Sequence, residues 1–227
     1  MERIFTSLVL LMYKAVILFF SIFLLVSCGS DTSQDDENNT GSGKVILALW
    51  DSLTAGYWLP QSESYPSQLE RRLKVESYNY QIINAWISGD TSAWLLSRLD
   101  WVLEWDLPHL VILCIGANDA FQGKPVDEIE KNIRTIIERI QSKNIPILFA
   151  GMKAPLNLWG EYGITYEKIF PKLAKEYDLA FIPFFLKWVA LKAEYNQDDR
   201  IHPTASGYTI VVDTLYEALL DNKLIKK

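Results

Sequence analysis

Four short segments carry side chains that could together perform nucleophilic catalysis. The first is Asp51-Ser52-Leu53-Thr54, directly after the apolar run Lys44–Trp50. A serine in the turn between a buried strand and the next helix is held rigidly, with its hydroxyl toward the crevice. A nearby helix N-terminus then helps to stabilise developing negative charge. Standing alone, an Asp-Ser pair reads equally well as ordinary helix capping. The second segment, Ser88-Gly89-Asp90-Thr91-Ser92, offers at Gly89 a backbone N–H that a substrate can approach without meeting a side chain. A glycine turn capped by Asp90 or Thr91 is the plainer alternative. The third, Gly116-Ala117-Asn118-Asp119, presents the Asn118 amide either to an oxyanion or to its own loop as an Asx-turn. The fourth is Asp199-Arg200-Ile201-His202-Pro203. Its three-residue separation lets one turn of chain bring Asp199 and His202 to the same side, the carboxylate orienting the imidazole and stabilising its protonated form. A surface loop in which Asp199 merely caps a turn is the alternative.

Elements of alternating type would carry these segments to one edge. Lys44–Trp50, Tyr80–Ala85, His109–Ile115, Pro146–Ala150 and Ala180–Phe185 are short apolar runs that read as buried strands. Helical patterns lie between them. Over Val126–Lys143 the residues Val126, Ile129, Ile133, Ile136, Ile137 and Ile140 share one face, and Pro125 with the acids that follow suits its start. A last helix from about Thr204 to Leu220 groups Ile210, Val211, Leu215 and Leu219. Near-continuous apolar strands alternating with amphipathic helices predict an α/β fold, a parallel sheet covered on both faces. Such sheets bind ligands at the C-terminal ends of their strands, where the segments from Asp51, Trp86, Gly116 and Gly151 would emerge.

The order and spacing of the four segments resemble the blocks of the SGNH (GDSL-type) hydrolase family, whose Ser, Gly, Asn and His fall here on Ser52, Gly89, Asn118 and His202. The likeness spans nearly all of residues 44–227 and extends to Leu53–Tyr57, Ser88–Ser92 and Tyr195–Asp199. It looks closest to the bacterial acyl-CoA thioesterase I, lysophospholipase and arylesterase subgroup. The resemblance implies a three-layer α/β/α sandwich, flavodoxin-like, with a five-stranded parallel sheet. It also implies a serine esterase with a Ser52–His202–Asp199 triad, an oxyanion hole from Ser52, Gly89 and Asn118, and no metal or organic cofactor.

The chain departs from the family at tryptophan. The first block normally begins with glycine, and here position 50 is Trp; Trp58, Trp86, Trp94, Trp159 and Trp188 also stand where members commonly carry glycine. One cause would explain all six: a gene in which UGA encodes glycine, translated as though it encoded tryptophan. Codons reading UGG in the source DNA would refute this. Arg200 also replaces a common glycine, which that recoding does not explain. Taken at face value, the tryptophans suggest the competing function, a catalytically impaired binding lipoprotein of the same fold.

Composition narrows the partners. The net charge is −6 with no basic run, which argues against nucleic acid. His109 and His202 are too few and too isolated to suggest a metal site. Cys114 lies in an apolar run and reads as a buried thiol. The stretch Ala15–Val26 lacks charge and has the length of a signal-peptide core. Leu25-Val26-Ser27-Cys28 resembles the bacterial lipobox, which implies cleavage before Cys28 and a diacylglycerol on its sulfur, enough acyl chain for stable anchoring. An uncleaved N-terminal anchor is the alternative. Residues 29–43 contain nothing that could build a core and read as a solvated linker. The expected organisation is a signal peptide over 1–27, a lipidated cysteine and linker over 28–43, and the hydrolase domain over 44–227. That chain would be tethered outside the cytoplasmic membrane of a bacterial envelope, acting on small-molecule acyl esters or lysophospholipids.

Overall fold

Runs rich in Ile, Leu and Val tend to bury both faces, and five apolar runs lie side by side in one sheet. The computed structural model describes residues 43–49, 56, 58–85, 87–104, 108–155, 158 and 160–227. The readings for Cys28, Trp50, Ser52, Trp86 and Trp159, and for the signal segment, lie outside the described residues. Residues Ser42–Lys227 form a unit of their own.

The strands are β1 (Lys44–Leu49), β2 (Tyr80–Asn84), β3 (Leu110–Leu113), β4 (Ile147–Ala150) and β5 (Ala180–Ile182). All pair in parallel in the order β2-β1-β3-β4-β5. β2 to β5 are each shorter than their apolar runs. His109 and Cys114 flank β3 and still donate their backbone N–H groups to the Val45 and Leu49 carbonyls of β1 at 2.8 and 3.2 Å, and Cys114 and Ile115 are buried. Burial follows position in the sheet: β3 and β4 are buried throughout, whereas the edge strands β2 and β5 are only partly covered. Short edges present few unpaired backbone groups to another chain.

Six helices stand among the described residues: α1 (Tyr65–Val75), α2 (Ser92–Glu104), the single turn α3 (Ala117–Phe121), α4 (Val126–Ser142), α5 (Glu161–Glu176) and α6 (Ala205–Asp221). In α4 the isoleucines 129, 133, 136, 137 and 140 are all buried, as their spacing requires. In α6 the buried face is Tyr208, Val211, Val212, Leu215 and Leu219; Ile210, expected among them, is only partly covered. Helix α1 packs on α6, and α4 packs on both α2 and α5. Both α5 and α6 reach β5, so the two groups cover opposite faces and complete a three-layer sandwich. Two backbone positions bear on the tryptophan pattern. Trp58 and Trp188 adopt φ of 63° and 72°, the left-handed region that favours glycine, as does Arg200 at 61°.

Candidate active site

Parallel strands send their following loops to one rim, and β1 lies between β2 and β3. The loops after these three strands therefore leave from adjacent positions. In sequence, Ser52 follows the end of β1 at Leu49 by three residues, but it lies outside the described residues.

After β2 comes a tight loop. The Asp90 N–H donates to the Ile87 carbonyl at 3.1 Å, and Gly89 holds φ at 83° within that turn. A Cβ on Gly89 would meet nothing within 4 Å, so the turn itself, not crowding, calls for glycine. Arg98, two turns into α2, reaches back to this loop. Its Nε and Nη2 donate to Asp90 Oδ2 at 2.9 and 2.5 Å, and Nη2 also donates to the Ala85 carbonyl at 2.8 Å. Asp90 is 3 % exposed, and burial pushes its carboxyl above the ordinary value against the opposing pull of Arg98.

After β3, the turn of α3 carries Asn118 and Asp119. The Asn118 side chain does not close its own loop; its Nδ2 donates to the Asp90 carbonyl at 3.0 Å, across to the Gly89 loop. A carbonyl can only accept, so the amide nitrogen must face it, leaving a second N–H on the same atom. Asp119 is 2 % exposed, and its two oxygens accept from the Ser92 N–H and Oγ, each at 2.7 Å. That carboxylate sits at the first turn of α2, where the helix dipole favours negative charge. Asn132 from α4 donates to Ser92 Oγ at 3.1 Å. Gly89 and Asn118 are thus brought together, through Asp90.

Asp199 and His202 are brought together as well. His202 Nδ1 lies 2.5 Å from Asp199 Oδ2, while Asp199 Oδ1 accepts the backbone N–H groups of Ile201 at 2.9 Å and His202 at 3.0 Å. Asp199 therefore caps its turn and orients the imidazole at once, so the two readings of this segment coexist. Burial pushes the Asp199 carboxyl up, but the hydrogen bonds from the His202 ring and from the two backbone amides outweigh it and hold the group below its ordinary value. The loop is closed at its base by a bridge between Asn196 and Pro203 and by the Gln197 N–H donating to the His202 carbonyl at 2.8 Å.

A residue with no motif signature ties this loop to the segment after β1. Gln68 in α1 donates through Nε2 to the carbonyls of Glu63 at 2.7 Å and Ala205 at 3.0 Å. Ala205 begins α6, three residues after His202. Gln68, Arg98 and Asp119 all escape sequence reasoning: Gln68 and Asp119 reach Ala205 and Ser92 in distant segments, and Arg98 meets Ala85 and Asp90 only because the loop after β2 folds back on α2.

In sequence and fold the chain is similar to known proteins. The GDSL-like Lipase/Acylhydrolase family matches residues 48–210. The thioesterase 1/protease 1/lysophospholipase L1 of Escherichia coli (strain K12) is 34 % identical over 175 residues, covering 77 % of this chain and 83 % of that one. An arylesterase of Vibrio mimicus is 32 % identical over 197 residues, covering 87 % and 95 %. Among solved structures, the psychrotrophic esterase EstA from Pseudoalteromonas sp., inhibited by monoethylphosphonate, superposes with a TM-score of 0.75 at 29 % identity, covering 78 % of this chain and 97 % of that one.

Proposed function

The chain belongs to the GDSL-like lipase/acylhydrolase (SGNH) family and is a carboxylic ester hydrolase, and on that premise we propose that it cleaves acyl esters through a Ser52–His202–Asp199 triad. The observation that carries this reading is the Asp199–His202 couple, joined at 2.5 Å by a carboxylate whose other oxygen is fixed by two backbone amides. Ser52 Oγ attacks the ester carbonyl carbon and passes its proton to His202 Nε2, while Asp199 holds the tautomer and steadies the imidazolium. The backbone N–H groups of Ser52 and Gly89 and the Asn118 side chain receive the oxyanion. Collapse expels the alcohol or thiol, which takes the proton from His202. Water, deprotonated by the same histidine, then attacks the acyl-enzyme, and the returning proton restores Ser52.

The substrates on this reading are acyl esters of the lysophospholipid, aryl ester or thioester type. Their supports are the names of the relatives and the exposed apolar side chains of Ile87, in the loop after β2, and Phe121, at the end of α3. The N-terminal segment is read as a signal peptide over 1–27 and a linker over 28–43 that tether the domain by lipid on Cys28 outside the cytoplasmic membrane. The deciding experiment is hydrolysis of p-nitrophenyl esters from acetate to palmitate by the written chain, Trp50→Gly and Ser52→Ala. Turnover in the first or second that vanishes in Ser52→Ala supports the triad, whereas turnover retained by Ser52→Ala refutes it. Incorporation of labelled palmitate that survives Cys28→Ala would overturn the lipid anchor.

A further inference from the structure

We propose that Arg98 is a positioning residue for the reaction, setting the two oxyanion donors Gly89 and Asn118 as a single unit from behind the loop. The proposal rests on the oxyanion hole just described. The guanidinium spans the loop from end to end, bonding the Ala85 carbonyl on one side and the Asp90 carboxylate on the other. Between those anchors lies the turn of Gly89. Asp90 is gripped twice, since its carboxylate takes Arg98 and its backbone carbonyl takes Asn118 Nδ2 at 3.0 Å. A shift of Asp90 therefore moves both donors together.

The chemistry of arginine suits this task. A planar fork can serve two acceptors in fixed directions, whereas an ammonium is a point donor on a flexible stem. The Arg98 side chain is 14 % exposed and the Asp90 side chain 3 %, so the pair works in a low-dielectric layer where a hydrogen bond strongly fixes geometry. The second tie, Asp119 to Ser92, holds the start of α2 against the Asn118 turn, so the helix carrying Arg98 cannot drift from the loop it braces. All the described bonds of Arg98 run to the loop and none to the open side, which makes it a support and not a group that touches substrate.

The test compares Arg98→Lys and Arg98→Met with the parent chain and with Asn118→Ala and Ser52→Ala. Arg98→Lys keeps a positive charge beside Asp90 and gives up the span to Ala85, so it remains informative should Arg98→Met fail to fold. Positioning predicts that kcat falls by ~10- to 100-fold in the lysine variant with KM nearly constant, as expected for a sub-ångström displacement of catalytic donors. It further predicts that affinity for an alkyl boronate, which forms a tetrahedral adduct with the serine, weakens in step with kcat/KM. Arg98→Lys combined with Asn118→Ala should lose less than the product of the two single losses, because both act on one oxyanion. A purely structural role would lower the melting temperature and leave kcat per folded molecule and boronate affinity unchanged, and that result would overturn the proposal. If Ser52→Ala retained turnover, the triad reading itself would fail, an outcome separable from parent-like Arg98 variants over an inactive Ser52→Ala.

Discussion

At Trp58 and Trp188 the backbone sits in the left-handed region while the indoles are 80 % and 62 % exposed, so both rings bury little surface to offset the strain. Of the six other described non-glycine residues with positive φ, four have an evident reason that Leu191 and Arg200 do not share. Ser77, Asn144, Asp178 and Lys223 each follow the end of a helix, where a left-handed residue caps the last turn. The left-handed conformation costs an ordinary side chain ~1–2 kcal/mol, part of which glycine gives back in chain entropy. Trp58→Gly and Trp188→Gly are therefore expected to raise stability by about 1 kcal/mol each, read as an upward shift in thermal midpoint. Trp94 lies in α2, and glycine there should cost roughly 0.5 kcal/mol of helix propensity. Midpoints that fall in all three variants would leave the glycine recoding without structural support. Asn118→Ala removes a proposed oxyanion donor and should lower kcat by ~10²- to 10³-fold, measured by steady-state ester hydrolysis. At this scale the meeting of Asp199 and His202 was legible in the sequence, since they lie within one turn of chain. Arg98 was not: a lone arginine on a helix looks like any solvated charge until the loop after β2 folds back and sets Asp90 beside it.

The elements that hold the Asp–His loop meet where there is no room for a side chain. A Cβ on Gly207, in the first turn of α6, would lie 2.2 Å from the Tyr195 carbonyl oxygen, a backbone atom that cannot swing aside. Gly207→Ala is expected to cost about 3 kcal/mol, since one extra carbon in a tight contact forces backbone shifts. Urea titration checks the stability. A matching fall in kcat is expected too, because Tyr195 opens the loop that bears Asp199 and His202. A variant as stable as the parent would show that α6 can slide on the loop. Periodicity revealed the existence of α4 and α6 but set their buried faces less well. Tyr208 and Val212 displaced Ile210 from the inner face of α6 because the helix rolls to meet both α1 and β5. Strand ends were over-read for a similar reason: apolar character continues past the last ladder bond, as at Ile115, which is buried beyond the Cys114 N–H bond to the Leu49 carbonyl.

Across the whole molecule, acid should act through a few depressed carboxyls. Asp199 lies below its ordinary 3.8, and Glu130 and Glu176 lie below 4.5, the former chiefly through Lys172 and the latter through Arg134. Each stays ionised in the native state where the unfolded chain already binds protons. Their stabilisation is therefore complete above the ordinary values and is lost as pH falls through the folded ones. Arg134→Gln should lower stability above pH about 4.5 and converge with the parent below it, a comparison made by urea titration at stepped pH. A constant gap through that range would contradict the linkage. The sheet order has a consequence for how the protein is made. The segment proposed to supply the nucleophile follows β1, the first of the described strands, whereas the proposed base precedes α6, the last of the described helices, which docks on α1. A growing chain would thus carry Ser52 through the synthesis of four further strands before His202 is made. On the proposed triad, hydrolytic power would arise only once α6 closes against α1.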